Sequence, residues 1–177
     1  FTNATTTPQR AALALGIDPA LKPLDALKAW MEKRRTLKPQ KPNEVRDAAF
    51  MENSFSGKKV DMGALPAPYW HRKDGGPYIT PGIVVSKDPE TGVPDIGHYR
   101  FLILSKNTFS FSAQPFHRFG KNLTKCQKMG VKPKGALIIG VDPVLAYTCQ
   151  VQVHDQTNDW EIAGGFRGEP VELVKCK

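Results

Sequence analysis

The sequence is poor in cysteine and has no long hydrophobic run. Its three thiols, Cys126, Cys149 and Cys176, form no C-x-x-C pair among 177 residues. An odd count without paired spacing argues against a disulfide framework and against structural zinc, and it predicts reduced thiols and a cytoplasmic location. No apolar stretch approaches the roughly 18 residues of a membrane span, and no signal peptide is evident. These absences argue against a disulfide-rich secreted domain and against a membrane protein.

The common catalytic motifs are also missing. The chain has no G-x-G-x-x-G, no P-loop, no H-E-x-x-H and no G-x-S-x-G. What it does have is a net charge of +8 on an ordinary globular composition, with 40% hydrophobic and 24% charged residues. Two interpretations of the charge stay open. One is a solvated basic surface, and the other is an anionic partner such as a phosphate, a carboxylate or nucleic acid.

The hydrophobic pattern changes along the chain. Thr7-Pro8 and Pro23 start two helices, and a proline-broken linker follows at residues 38–43. After residue 50, short β-branched and aromatic runs alternate with turn residues. Strands are predicted at Gly82–Ser86, His98–Ser105, Phe109–Ala113, Ala136–Val141 and Ile162–Phe166, with Val171–Lys175 as a further candidate. Helices are predicted at Phe119–Met129 and from Pro143. The pattern predicts an α+β chain: a helical lead-in, then a strand-rich, partly open barrel.

Three polar side chains are candidate ligands of an ion. His117 lies in the run QPFHRFG ahead of a predicted helix, where an imidazole could contact a metal or a phosphate. Asp95 and Asp159 each lie beside a predicted strand start. Oxygen ligands with one imidazole suit Mg²⁺, Mn²⁺ or Fe²⁺ better than zinc. Spacing alone does not group the three residues into one site.

A series of motifs in fixed order carries a family resemblance. The motifs are DGGPYIT (Asp74–Thr80), SKDPETG (Ser86–Gly92), GHYR (Gly97–Arg100), KNT (Lys106–Thr108), HRFG (His117–Gly120), IGVDP (Ile139–Pro143) and AGGFRGEPVELVKC (Ala163–Cys176). Together they resemble the UbiD family of prenylated-flavin decarboxylases from about Leu65 to the end, and more weakly over QRAALALGIDP. The resemblance implies a helical lead-in over residues 1–64 and a split-barrel-like, prenylated-FMN-binding domain over residues 65–177.

The resemblance also implies the cofactor contacts. The flavin phosphate would be held through a divalent ion, Mn²⁺ first with Fe²⁺ or Mg²⁺ as alternatives, bound by Asp95, His117 and Asp159. The family has asparagine at the first of these positions and glutamate at the third, so two of the three depart from its pattern. The implied K⁺ ligands are Ile96, Thr148, Cys149 and Val151. The implied cofactor-binding residues are Asp95, Ile96, Gly97, Arg100, His117 and Arg118.

The implied reaction is the reversible, non-oxidative decarboxylation of an aromatic, heteroaromatic or α,β-unsaturated acid, with a CoA thioester as a further option. Arg100 matches the arginine that sets the substrate carboxylate. The family's two catalytic glutamates lie downstream of VELVKC and do not occur here. We therefore expect the chain to be an interior part of a longer enzyme or one subunit of a split one. Expected partners are the acid and CO₂, a homo-oligomer or a further UbiD-like subunit, and a flavin prenyltransferase that supplies the cofactor.

Two other function classes remain open at this stage. The first is a non-catalytic, cofactor-binding or structural subunit of a UbiD-like carboxylase, which the two aspartates and the missing glutamates favour. The second is a basic nucleic-acid-binding barrel, suggested by the charge of +8. The phenylalanines at 109, 111, 116 and 119 lie in no recognised RNA-binding motif, so we expect neither a nucleic-acid nor a membrane partner.

Overall fold

The computed structural model describes residues 7–176. Its helices are α1 (Pro8–Ala14), α2 (Pro23–Arg35), α3 (Arg118–Lys128), α4 (Pro143–Thr148) and α5 (Asp159–Arg167). Its strands are β1 (Asn43–Val45), β2 (Tyr78–Lys87), β3 (Pro94–Ser105), β4 (Thr108–Ser110), β5 (Gly135–Ile138) and β6 (Glu172–Val174). Single 3₁₀ turns lie at Ala49–Met51, Gly57–Lys59 and Met62–Ala64. This mixture of helices and strands confirms the predicted α+β class.

The chain divides into two compact units. One contains the residues up to Arg46 together with those from Val141 onward, and the other is Asp47–Gly140. The first unit is therefore built from both ends of the sequence. The expected domains at residues 1–64 and 65–177 stay a prediction. No helix among residues 7–176 is both long and apolar enough to cross a lipid bilayer.

The second unit is built on a curled antiparallel sheet in the order β4-β3-β2-β5, a half-barrel of four strands. β2 pairs with β3 in a register that places Val84 opposite Gly97 and Ser86 opposite Asp95. Between Ile79 and Gly82 the register shifts by one residue, so Thr80 and Pro81 together face Arg100. Proline has no N–H to give to a ladder, and a bulge is where a sheet tolerates it.

Alternate residues of β3 point into the core of this unit. Phe101, which is fully buried, and Ile103 join Ile79, Val84 and Phe119 in one cluster. The Phe101 ring lies directly over Gly82, where an added Cβ would come within 2.4 Å of Cε2. Because Phe119 belongs to α3, the same cluster packs that helix against the sheet.

In the first unit, the segment before β1 packs against α5. β1 and β6 form a two-stranded parallel pair. Upstream of it, the Gln40 amide donates to the Glu161 carbonyl at 3.0 Å, so the segment crosses α5. Gly164 and Gly165 let the backbones meet, since added Cβ atoms would lie 2.9 Å from the Gln40 oxygen and 2.8 Å from the Lys38 oxygen.

The predicted strand Ile162–Phe166 is wrong, because these residues belong to α5. Asn158 caps the helix by accepting from the Trp160 amide at 3.1 Å, and Asp159 and Glu161 suit the positive end of its dipole. Trp160, Ala163, Gly164 and Phe166 are buried with helical rather than alternating spacing. Gly164 and Gly165, which lie within the predicted strand, instead allow close backbone contact in a helix.

The other predicted elements match to different degrees. α3 lies within one residue of the predicted helix Phe119–Met129, and β2 and β3 contain Gly82–Ser86 and His98–Ser105. The strand expected at Phe109–Ala113 is confined to Thr108–Ser110, and that expected at Ala136–Val141 becomes Gly135–Ile138. The proline-broken linker ends in β1, which was not predicted.

Candidate functional site

The first turn of α3 is tied to the start of β3. Arg118 donates from Nη2 to the Pro94 carbonyl at 3.1 Å, and its Nε lies 3.4 Å from Asp95 Oδ1. Ser86 Oγ lies 3.5 Å from the other Asp95 oxygen. The side chains of Asp95 and Arg118 are 7% and 16% exposed. A buried carboxylate needs such compensation, because an unpaired charge in an apolar interior is costly.

His117 is the residue that immediately precedes α3 as its N-cap. Its backbone is extended, its amide donates to the Gln114 carbonyl at 3.0 Å, and its side chain makes no capping hydrogen bond. The imidazole is exposed and lies 4.7 Å from the Phe116 ring. The helix start therefore presents an imidazole to solvent beside a buried carboxylate–guanidinium pair.

Tyr99 is a feature of this site that the sequence reasoning missed. It lies on the same face of β3 as Asp95, and its ring covers Gly97, where an added Cβ would be 2.9 Å from Tyr99 Cε2. Burial, and then the negative charge of Asp95, raise the pKa of Tyr99 to about 12. The sequence could have indicated this, because Asp95 and Tyr99 are four positions apart in a strand and such residues share a face. Gly97, predicted as a cofactor contact, thus has a packing role as well.

Arg100 and Ile96 lie on the opposite face of β3 from Asp95. Ile96 is 4% exposed, whereas Arg100 is exposed and faces the bulge at Thr80 and Pro81. Bulges commonly lie next to active sites, where they re-aim a side chain. Asp95 and Arg100 are five positions apart along the strand, about 17 Å at 3.4 Å per residue. The two side chains would therefore serve different parts of a ligand.

The remaining predicted ligands belong to the first unit. Asp159 is the first residue of α5 and is 4% exposed. Thr148, Cys149 and Val151 lie together at the end of α4, where Thr148 Oγ1 donates to the Val144 carbonyl at 2.9 Å and the Val151 amide donates to the Thr148 carbonyl at 3.0 Å. The proposed K⁺ residues other than Ile96 are thus neighbours in one turn.

The chemistry of the donors fits a hard divalent ion. Asp95, His117 and Asp159 offer carboxylate oxygens and one imidazole, the set that Mn²⁺, Fe²⁺ and Mg²⁺ accept. Within residues 7–176, no group of three His, Cys, Asp or Glu side chains is assembled to hold a metal. The three assigned residues therefore remain a prediction.

Comparison with known proteins identifies the family. The model of the UbiD 3-octaprenyl-4-hydroxybenzoate carboxy-lyase Rift-related domain matches residues 43–177. The phenolic acid decarboxylase of Streptomyces sp. strain D7 is 30% identical over 168 residues, which are 92% of this chain and 35% of that protein.

Solved structures share the fold. Vanillic acid decarboxylase of Sedimentibacter hydroxybenzoicus in closed form superposes with a TM-score of 0.89 at 25% identity, over 99% of this chain and 38% of the other. The UbiD-class enzyme HmfF from Pelotomaculum thermopropionicum, in complex with FMN, gives 0.87 at 24%, again over 99% and 38%. The chain spans between a quarter and about a third of the length of the curated relatives it matches. With a family model that covers three quarters of its residues, this chain belongs to the UbiD family.

Proposed function

We propose that this chain forms the flavin-binding part of an enzyme that reversibly decarboxylates an aromatic, heteroaromatic or α,β-unsaturated acid with prenylated FMN. The observation that carries the proposal is the pair formed by buried Asp95 and partly buried Arg118 at the first turn of α3, with His117 exposed beside it. A guanidinium, an imidazole and the amides of an eleven-residue helix start form a favourable place for a phosphate. Family membership makes the phosphate of a flavin the natural occupant.

In this proposal, the ions join the phosphate to the protein. Asp95, His117 and Asp159 would hold the divalent ion. Ile96, Thr148, Cys149 and Val151 would hold K⁺ through backbone oxygens. Asp95 in place of the family's asparagine adds a negative charge, which Arg118 offsets at 3.4 Å. That compensation is why an aspartate is compatible with an anionic phosphate at this position.

Arg100 is the residue that we assign to the substrate. The prenylated flavin, when bound, supplies the electron sink that lets CO₂ leave. The planar guanidinium of Arg100 can hold the substrate carboxylate in two parallel hydrogen bonds and fix its orientation. Its exposure on the strand face opposite Asp95 leaves it open to a second ligand while the phosphate is held elsewhere. The catalytic glutamates would come from a further segment or chain.

The substrate class is supported by the names of relatives. A phenolic acid decarboxylase and a vanillic acid decarboxylase both carry aromatic acids in their names. An aromatic carboxylic acid is therefore the first class to assay. An evolved form of HmfF is described as dimeric and in complex with prFMN. A homo-oligomer or a further UbiD-like subunit and a flavin prenyltransferase as cofactor supplier complete the proposal.

The test starts from cofactor loading of the full-length protein. We expect purified protein, reconstituted with prenylated FMN and Mn²⁺, to show a flavin absorbance band and to release CO₂ from aromatic acids. Arg100→Ala should abolish turnover while the absorbance band stays, and the exposed Arg72→Ala is the matched control. His117→Ala should lower the bound metal measured by elemental analysis. Colourless protein after reconstitution, or full turnover by Arg100→Ala, would contradict the proposal.

A non-catalytic, cofactor-binding subunit is the second candidate. It is favoured by the two aspartates that depart from the family's ligand pattern. Stable flavin binding, combined with no CO₂ release or exchange from any acid in the presence of co-purifying chains, would select it. Turnover that disappears with Arg100→Ala would reject it.

A further inference from the structure

The turn between β2 and β3 is built around the carboxylate of Asp88. This side chain is 7% exposed, and its Oδ1 accepts the amides of Glu90 at 2.9 Å and Thr91 at 3.4 Å. Its own amide donates to the Val93 carbonyl at 2.9 Å. The turn is therefore closed by hydrogen bonds among its own residues.

Lys125 of α3 forms ion pairs with two carboxylates of this turn. Its Nζ lies 2.6 Å from Asp88 Oδ2 and 2.8 Å from Glu90 Oε2. The second carboxylate oxygen of Asp88 is thus used between elements, while the first holds the turn. Glu90 is exposed, so the buried Asp88 is the stronger of the two anchors.

Two residues on one face of α3 contact the hairpin formed by β2 and β3. Arg118 and Lys125 are seven residues apart, two turns of helix, so both point toward one side. Arg118 holds Pro94 and Asp95 at the start of β3, and Lys125 holds Asp88 beyond the end of β2. The attachment points lie about 10 Å apart along the helix axis, at 1.5 Å per residue. Two anchors at this spacing fix both the direction and the rotation of the helix.

We propose that Asp88 and Lys125 are positioning residues, which set the place of His117 and Arg118 through the rigid body of α3. The inference rests on the proposed function, because it takes the start of α3 as the site of the flavin phosphate. Neither residue touches that site. Lys125 lies two turns along α3 from Arg118, and Asp88 lies in the turn, beyond the Lys87–Pro94 pair that ends the hairpin ladder.

The core contact of α3 explains why loss of the far anchor should tilt the helix and not release it. Phe119 remains packed at 6% exposure against Tyr99 and Phe111, at ring distances of 5.6 Å and 5.5 Å. Asn122 and Cys126 of α3 are also buried, so without the Lys125 ion pairs the helix stays on the sheet and changes only its tilt about the Phe119 contact. Small angular changes then misplace donors that must meet a phosphate within hydrogen-bond distance.

Four variants of the full-length protein separate positioning from stability. Asp88→Asn keeps a carbonyl oxygen for the Glu90 and Thr91 amides and removes the charge that Lys125 uses. Lys125→Met keeps the length of the side chain without its charge, and Lys125→Arg restores a cation. Lys128→Met, also in the last turn of α3 and exposed, is the matched control. For each we measure the dissociation constants of FMN and of riboflavin by fluorescence quenching.

Riboflavin lacks the phosphate, so the ratio of the two constants isolates the phosphate contribution. We expect Asp88→Asn and Lys125→Met each to reduce the preference for FMN about tenfold, the scale of one misplaced charge-assisted hydrogen bond. Lys125→Arg and Lys128→Met should keep the wild-type preference. An unchanged preference in Asp88→Asn and Lys125→Met would overturn the positioning role. A wild-type protein with no preference for FMN would instead overturn the proposed function, and with it this inference.

Hydrogen exchange gives a readout that needs no flavin. The Lys121 amide, which donates to the His117 carbonyl at 2.9 Å, reports the first turn of α3. In Lys125→Met we expect faster exchange at this amide than in Lys128→Met, with protection in β2 and β3 unchanged. Equal exchange in the two variants would refute coupling between the ends of α3. Loss of protection across the sheet would show that Lys125 is a structural residue only.

Discussion

The sheet of the second unit and helix α5 of the first unit both use glycine in a crowded place, but their glycines meet different neighbours. In the sheet, Gly82 lies under the ring of Phe101. In α5, Gly164 and Gly165 lie against the backbone oxygens of Gln40 and Lys38. The obstacle at Gly82 is therefore a side chain, whereas the nearest obstacle at Gly164 and Gly165 is a backbone oxygen. A side chain can be exchanged for a smaller one, whereas a backbone oxygen cannot, so the two regions should respond differently to the same kind of substitution.

The largest effect is expected for Gly82→Ala. The new methyl would lie 2.4 Å and 2.6 Å from two atoms of a fully buried ring, an overlap that should cost about 3 kcal/mol of unfolding free energy. Denaturant unfolding measures it. The control is Gly75→Ala, whose Cβ would lie at an ordinary 3.7 Å from Leu102 and should change little. Adding Phe101→Leu to Gly82→Ala should cost less than the sum of the two single changes. Strict additivity would show that the ring is not the obstacle.

A smaller effect is expected for Gly165→Ala, which tests the other side of the comparison. Overlap with the Lys38 oxygen at 2.8 Å opposes the gain of roughly 1 kcal/mol that alanine usually brings to a helix, so we expect a net loss of about 1–2 kcal/mol. The same unfolding experiment measures this loss. Leu37→Ala removes the neighbouring side chain but leaves the oxygen, so it should not rescue the variant. Stabilisation by Gly165→Ala would mean that α5 does not need its close backbone contact.

Low pH should lower the unfolding free energy of the second unit by protonating Asp88. Burial raises the pKa of this carboxyl, but the hydrogen bonds from Lys125, Glu90 and Thr91 outweigh it and hold the pKa below its ordinary value. The stabilisation is present above the unfolded pKa of about 4 and is lost as pH falls through the folded pKa. Wild type should therefore exceed Asp88→Asn in unfolding free energy at pH 6 and lose that advantage toward pH 2. A constant difference between the two would count against the ion pair.

The smallest expected effect is a shift in the titration of Tyr99. Asp95→Asn removes a negative charge that disfavours the phenolate, so the pKa of Tyr99 should fall from about 12 but stay above 10 because burial remains. Wild type should lose stability as pH rises from about 10 through 12, since the folded protein retains a proton that the unfolded chain releases. Ultraviolet titration at the tyrosinate band, with Tyr99→Phe to assign the group, checks the shift. No difference between wild type and Asp95→Asn would place Asp95 too far away to matter.

The same contrast shows what the sequence could predict. Short β-branched and aromatic runs between turn residues predicted Gly82–Ser86 in β2 and His98–Ser105 in β3, because these residues pack on a core made by nearby residues. α5 was misread because its glycines carry no periodic signal, and their partners lie more than 120 residues upstream at Lys38 and Gln40. β1 was missed for the same reason, as its pairing with β6 is invisible locally.

In the candidate site, too, the sequence could predict some residues but not the contacts between distant parts of the chain. The family resemblance placed Asp95 and Arg118 in the site, and the structure brings these two together. The turn sequence DPETG indicated a bend at Asp88, but no pattern could show that Lys125 would meet it from 37 residues away. Tyr99 was within reach of a strand-face argument, whereas its distance from a charged neighbour required coordinates. That Asp95, His117 and Asp159 bind one divalent ion remains a prediction.

The parallel pairing of β1 with β6 also constrains the order in which the chain can fold during synthesis. Asn43 meets Glu172, a partner translated 129 residues later, whereas every strand of the half-barrel lies between Tyr78 and Ile138. The ribosome therefore delivers every strand of the half-barrel before β6 is available to pair with β1. Until β6 is synthesised, β1 has no partner strand. During this interval the nascent chain exposes an unpaired strand edge, so we expect it to need protection from aggregation.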